Sequence, residues 1–428
     1  MEVPCSSPSP KLHPAQPGST RRPEGKVLMF NINRLLQQSL ALLMTLGFVP
    51  MIALGAGPGR ETGRFPAFSW EQVPRYMHIR KDTAFTEDEI RYLASFPLIT
   101  LEKTTGSNQF GSTEQGTLVA ARAIQAINPS TKVLYYRNVI VHYGSYAANA
   151  ALKDLRGGLL VGRDGRDQLV RNQVQAYDLT NAKLRDWWLD NAQRVCADPA
   201  IDGLFLDGNI KVLEPGYLRD EIGEKKKGEL VQAYDLMMRE TRRRLGPEKL
   251  MVANLLRARF PDSGLSRLGA FDGSYLEGFE AAVGRVPLKD YVAKGIAAFQ
   301  QAARQGYLIA FTAGLGEEGN EAGANNPQRT DEIRKALDAS RSRQGRFQYL
   351  LAIFLVCAEQ HSYFCAHDGY DAKKSQVWMT QPPEFDRPLG PPRGPAVRTG
   401  YLYTREFEHA SVRLDIERQR GEIQWKAP

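Results

Sequence analysis

The sequence predicts an α/β chain folded as a (β/α)8 TIM barrel with a small C-terminal antiparallel β appendage. Three observations predict it. Eight short β-rich runs alternate with amphipathic helical stretches, no glycine-rich phosphate loop follows the first run as an open dinucleotide-binding sheet would require, and 428 residues accommodate a barrel of ~250 residues with insertions. Hydrophobic residues at 42%, charged at 24% and aromatics at 9% exclude general disorder, a coiled coil and a polytopic membrane protein.

The strand candidates are 76–80, 98–103, 132–141, 203–207, 250–255, 273–277, 307–312 and 362–366. Helical periodicity marks 86–96, 113–127, 180–196, 228–245, 288–305 and 345–360 between them. Residues 156–175 carry Gly157, Gly158, Gly162 and Gly165 and read as an irregular insertion at the mouth of the barrel. The barrel is expected to span 65–380. The Pro-rich strap that opens 381–428 cannot be helix or sheet interior, and the alternating runs 401–407, 411–416 and 422–425 after it form the appendage. Tyr401, Tyr403, Phe407 and Trp425 are expected to pack on the barrel, because isolated short hairpins are marginal in water.

Two segments precede the barrel. Residues 1–28, rich in Ser, Pro, Arg and Lys, have no apolar period and are expected to be a disordered extension or a stretch ahead of the true start. Residues 29–57 have the order of a signal peptide: polar and basic Asn31, Asn33 and Arg34, an apolar run over 40–54, then Gly55, Ala56 and Gly57. An uncleaved anchor is the alternative, since 39–57 approaches the ~20 residues of a membrane span. Gly47 and Pro50 interrupt that run, and the small-x-small pattern at 53–55 favours cleavage. The expected destination is secreted or periplasmic, without stable membrane insertion.

The net charge is +8, of which five bases against two acids place +3 before residue 58 and leave +5 for the rest. Lys225, Lys226, Lys227 and Arg242, Arg243, Arg244 fall on helical patterns and read as solvated helix faces, so no nucleic-acid partner is expected. Past Cys5, the three cysteines Cys196, Cys357 and Cys365 have no metal-type spacing. Buried thiols suit Cys196 and Cys357, and a Cys357–Cys365 disulfide stays open.

Chemistry in such a barrel sits at the C-terminal ends of the strands. Two runs end alike, on an acid followed by glycine: Asp207-Gly208 and Glu277-Gly278. On the fourth and sixth strands these ends are expected to face each other across the mouth, as a glycosidase requires of a nucleophile or base and a proton donor. A single acid before glycine serves equally well as a turn or helix cap. Two at matching strand ends favour catalysis. Leu276 and Phe279 give Glu277 an apolar local sequence that would raise its pKa, whereas Gly208 and Asn209 supply donors that would keep Asp207 ionised.

Glu102, Tyr136, Arg137, Asn138, Asn209, Asn254, Thr312, His367 and Asp368 make a polar and aromatic rim suited to sugar hydroxyls, with Lys103 beside it. Asp368 is the strongest rival for a catalytic place. The substrate class is an oligo- or polysaccharide, and no cofactor or metal is implied. Two alternatives differ in class: a barrel that binds glycan without cleaving it, and a hydrolase with His142, Asp207, Glu277, His367 and Asp368 around a divalent metal. No HxH, HExxH or DxD spacing supports the latter.

The segments FLDGN, YLEGF and FCAHDGY and the tail EFDRPLGPPRGPAVRTGYLYTREFEHASVRLDIE resemble the barrels grouped as hypothetical glycosyl hydrolase family 15, over roughly 76–425. The tail is the most specific part. By further analogy with clan D α-galactosidases, which carry a nucleophile on the fourth strand and an acid/base on the sixth, the resemblance implies Asp207 as nucleophile and Glu277 as acid/base. That clan uses Asp at both places, so the longer Glu277 leaves retention or inversion open.

Overall fold

The computed structural model describes residues 64–279, 286–315, 343–380 and 382–426; the expected extension and signal peptide lie outside them. Eight strands pair in chain order, each parallel to the next: β1 Met77–Ile79, β2 Leu98–Leu101, β3 Lys132–Asn138, β4 Gly203–Asp207, β5 Leu250–Asn254, β6 Gly273–Leu276, β7 Leu308–Gly314 and β8 Ser362–His367. The sheet closes on itself. Tyr76 donates from its backbone N–H to the Phe364 carbonyl at 2.9 Å, Phe364 to Pro74 at 2.8 Å and Arg80 to Tyr370 at 2.7 Å. All eight expected strands are present, with ends shifted by a few residues.

Side chains alternate across the barrel wall because strand residues point to opposite faces in turn. Tyr76, Leu134, Tyr136, Phe205, Val252 and Tyr275 fill the interior, whereas Val133, Tyr135, Leu204, Leu206, Met251 and Ala253 pack against the outer helices. Helices Thr113–Ile127, Ala182–Cys196, Glu224–Leu245, Leu288–Arg304 and Arg343–Cys357 cover most of the outer wall. Two crossings are thinner. Only a short 3₁₀ helix, Leu265–Ala270, lies between β5 and β6, and no α-helix follows β8 among the described residues.

The tail forms a second sheet, β9 Val397–Thr399, β10 Leu402–Glu406, β11 Ala410–Asp415 and β12 Arg420–Trp425, antiparallel throughout in the order β12-β11-β10-β9. Strand β9 had no sequence signal; Val397, Arg398 and Thr399 are all exposed and show no alternation. Tyr403 and Phe407 are buried in the core shared with the outer helices, and Tyr401 and Trp425 pack partly against it. Buried Arg405 fastens the sheet to the end of helix Arg343–Cys357, donating to the carbonyls of Leu355 and Ala358 and pairing with Glu359 at 2.9 Å. A guanidinium with carbonyl and carboxylate partners can be buried at little net cost, and it fixes the register of what it joins.

The three cysteines are free. Cys365 points into the barrel and Cys357 lies among the outer helices, on the other side of the wall, so the disulfide left open by the sequence does not form.

Candidate active site

Register places the site. Asn138 pairs with Asp207 across β3 and β4, and Leu206 with Ala253 across β4 and β5, so Asn138, Asp207 and Asn254 stand level on three adjacent strands. Asn254 pairs with Tyr275, which puts Glu277 one pleat higher on β6. All four side chains follow an inward-facing residue by two (Tyr136, Phe205, Val252, Tyr275) and therefore point into the mouth.

The chain leaves both strands through glycine in the left-handed region, Gly208 at φ 82° and Gly278 at φ 52°. A Cβ on Gly208 would sit 2.4 Å from Asn138 Oδ1, so the glycine after the acid makes room for the asparagine that holds it. Asp207 is not a helix cap: helix Asn209–Leu213 begins after Gly208 without any side-chain cap.

Its carboxylate is held from both sides. Tyr136 donates its hydroxyl to Oδ2 at 2.6 Å and Asn138 its amide at 3.1 Å, while Asn254 Nδ2 donates to Oδ1 at 3.1 Å. Asn138 is pinned in turn, its Oδ1 accepting the N–H groups of Ile140 at 3.1 Å and Val141 at 2.7 Å. Burial would raise the Asp207 carboxyl, but Lys211, the Tyr136 hydroxyl and Lys103 outweigh it and hold the group below the usual carboxylate range. Tyr136 stays a phenol, pushed well up by burial and by Asp207.

The same Asn254 nitrogen donates to Glu277 Oε1 at 3.0 Å. One amide thus bridges the two acids. They do not face each other across the mouth as expected, because β4 and β6 are separated by a single strand, and the residue on that strand joins them. Arg257 fixes the bridge: its guanidinium donates to Asn254 Oδ1, turning the amide towards the acids, and lies 3.4 Å from Glu277 Oε1. Glu277 is more open than its sequence suggested, with 29% of its side chain exposed against 7% for Arg257. Leu276 and Phe279 are buried behind the wall, Phe279 against Phe311, so they do not enclose the carboxyl.

Other rim residues divide. Glu102 faces the mouth from β2 but is saturated by Arg80 at 2.7 Å, by Lys103 and by His78 at 3.9 Å. Burial opposes ionisation there, and Lys103, His78 and Arg80 overcome it, holding Glu102 well below the ordinary range. Lys103 in turn lies 5.4 Å from the Tyr136 and Tyr143 rings, at the edge of the site. Thr312 is buried with its hydroxyl on the Leu276 carbonyl at 2.9 Å. Asn209 is fully buried, donating to the carbonyls of Leu206 at 2.7 Å and Asn254 at 3.3 Å and accepting from Tyr234 at 2.8 Å; it braces the strand ends and is closed to a ligand.

Arg137 is not brought to the site. The residue before Asn138 points the other way, and its guanidinium packs 4.6 Å from the Tyr146 ring and 5.3 Å from Trp188 outside the wall. Asp368 spends both oxygens on its own loop, accepting from Ser375 Oγ and from the Gln376 N–H at 2.9 Å. Its neighbour His367 sits beneath, with Nε2 3.2 Å from the Tyr370 hydroxyl. Burial, with His78 and Arg346, pushes His367 down to about 3 despite Asp368. Among the described residues no three His, Cys, Asp or Glu side chains gather as a metal would need, which removes the geometric basis for a site built from His142, Asp207, Glu277, His367 and Asp368.

Residues 125–411 match the family described as hypothetical glycosyl hydrolase family 15. The chain belongs to this family. No curated protein matches the sequence. Solved structures similar to this chain include a family 36 α-galactosidase from Geobacillus stearothermophilus in complex with raffinose, 11% identical over 81% of this chain and 48% of that one, with a TM-score of 0.46. A family 31 dextranase from Flavobacterium johnsoniae, complexed with isomaltotriose, is 11% identical over 75% and 39%, at 0.43. An α-galactosidase from Thermus thermophilus is 14% identical over 83% and 68%, at 0.42. The chain spans about half the length of the Geobacillus enzyme.

Sequence reasoning missed Arg257, Tyr275 and Tyr370 in this site. Tyr275, two residues before Glu277, carried a signal in the two-residue period of its strand; its hydroxyl meets that of Tyr370 at 2.6 Å. Arg257 carried none, being in an irregular loop three residues past the end of β5.

Proposed function

We propose that this chain is a retaining glycoside hydrolase acting on an oligo- or polysaccharide, with Asp207 as nucleophile and Glu277 as acid/base. The observation that carries the proposal is the shared Asn254 amide. Two oxygens at 3.1 and 3.0 Å from one nitrogen can be no further apart than about 6 Å. A retaining enzyme holds its carboxyl groups roughly 5–5.5 Å apart and an inverting one roughly 6.5–9.5 Å, so two acids sharing one amide support the retaining reading.

In the first step an Asp207 oxygen bonds to the anomeric carbon as the glycosidic C–O bond breaks, and Glu277 gives its proton to the departing oxygen. Glu277, now ionised, takes a proton from water, whose oxygen displaces Asp207 from the same carbon. Asp207 suits its part because it is ionised, and its donors Tyr136, Asn138 and Asn254 fix its direction. Glu277 suits proton exchange because it is open to water on one side. The close pair also argues against a purely glycan-binding barrel, for which acids too far apart to flank one bond were the expectation.

Screening the purified protein against a polysaccharide panel, with the anomer of the first-formed product read by NMR, tests the proposal. Retained configuration is expected; inverted configuration, or no cleavage of any member, contradicts it. Export is part of the proposal, resting on the order of residues 29–57, and a secreted protein whose mass shows loss of the chain up to 55–57 is the expected form. Retention of 29–54 would indicate an anchor instead.

A further inference from the structure

Among the described residues no α-helix follows β8, and the space one would cover holds a cavity of about 320 Å³ on the outer side of the β8–β1 seam. Aromatic residues line much of it: Tyr92 on helix Glu87–Leu93, Phe96 just past it, Phe347 and Phe364 on the far side, and Trp378 and Phe385 from the segment after β8. They touch edge to face, Tyr92 with Trp378 at 5.9 Å and Phe347 with Phe385 at 5.7 Å. Arg75 and Arg343 are the charged residues among the described lining, and none of it is acidic.

Arg75 is the informative one. Its Nη1 is buried without a hydrogen-bond partner among the described residues, and its guanidinium lies 4.9 Å from the Phe96 ring. A ring face offsets only part of what a cation loses on leaving water, and an unmet donor on a charged group is costly. No carboxylate pairs with Arg75 among the described residues, so an anion in the cavity that Arg75 lines would meet its charge.

We infer that this cavity is a binding site, separate from the carboxylate pair, for a small aromatic carboxylate. Its ring would lie among Phe96, Trp378 and Phe385 and its carboxylate on Arg75. The size fits, since an apolar cavity of roughly 150 Å³ already takes benzene and twice that volume admits a ring with a short acid tail. The charge selects the sign. The seam beside it is held by the three hydrogen bonds between 74–80 and 364–370, so an occupant touching both Arg75 and Phe364 braces the closure of the barrel.

Phenylpropionate and its uncharged analogue phenylpropanol serve as probes, with calorimetry and thermal unfolding of the full chain as readouts. Phenylpropionate is expected to bind one to one and raise the melting temperature. Phenylpropanol should bind at least about tenfold more weakly, the ratio expected for a hydrogen bond to a charged group. Arg75→Met should weaken phenylpropionate by a similar factor and leave phenylpropanol unchanged. Neither Arg75 nor the probes touch Asp207 or Glu277, so the result stands apart from hydrolytic activity. Absence of binding at millimolar phenylpropionate, equal affinity for the two probes, or a complex with the ring seated elsewhere would overturn the inference.

Discussion

The two halves of the barrel mouth carry the same kinds of residue and use them oppositely. On the β8–β2 side, Glu102 and Asp368 have every oxygen engaged by partners of their own neighbourhood. On the β3–β6 side, Asp207 and Glu277 are bridged to each other through Asn254, and Glu277 remains open. The difference separates acids that hold loops from acids that can react. Both of these carboxylates that hold loops, Glu102 and Asp368, are also only 4% exposed and present nothing to a substrate, whereas a bridged pair with one open face can move a proton and still be held in place.

The largest effect should come from Asp207. Asp207→Asn keeps the hydrogen-bond acceptor at Oδ1 but removes the nucleophile, so turnover is expected to fall on the order of 10⁴-fold or more with the melting temperature nearly unchanged. Glu277→Gln should cost about 10²–10⁴-fold on substrates whose leaving group needs a proton and far less on activated aryl glycosides. Equal losses on both substrate types would remove Glu277 from the acid role.

Arg257 sharpens the comparison, because its guanidinium holds the Asn254 amide and lies beside Glu277. Arg257→Met should lower kcat by about 10–100-fold, the value of a hydrogen bond to a charged group, with a shifted pH profile and little change in KM. A loss confined to stability would make it a structural residue. Asp368→Asn probes the saturated half: it should cost about 1–2 kcal/mol of stability through its loop and change turnover by no more than a few-fold. A dead Asp368→Asn enzyme alongside active Asp207 and Glu277 variants would reverse the assignment of the two halves.

Histidine 367 offers a pH test of the saturated half. Its folded value is pushed down to about 3, below that of the unfolded chain, so the unfolded state binds the extra proton first as pH falls. Stability should therefore decline from the ordinary histidine range at ~6.5 down to about 3, and His367→Gln should flatten that slope in urea titrations at successive pH values. An unchanged slope would show that other groups set it.

The barrel was legible because its signals are local: β runs end on turns, helices keep their period, and Asp207 and Glu277 precede glycines that the chain's exit from the strand demands. Levels across strands were not legible. Whether Asn138, Asp207 and Asn254 share a row depends on registers that no single run encodes, and Arg137 was expected on the mouth although the pleat turns it outward. The opposite placement expected of Asp207 and Glu277 failed for a simpler reason, since one strand separates the fourth from the sixth whatever the register. Acids that end up saturated, such as Asp368, look the same in sequence as open ones, because their partners Ser375 and Gln376 lie in a loop with no period.

Trapping the intermediate tests the central claim most directly. A panel of fluorinated glycosyl fluorides, which form a covalent glycosyl-enzyme quickly and release it slowly, should label the protein once, and peptide mass spectrometry should place the sugar on Asp207. Labelling of Glu277, Asp368 or Glu102 instead, or an active enzyme that cleaves its substrate with inversion and is never labelled, would contradict the account.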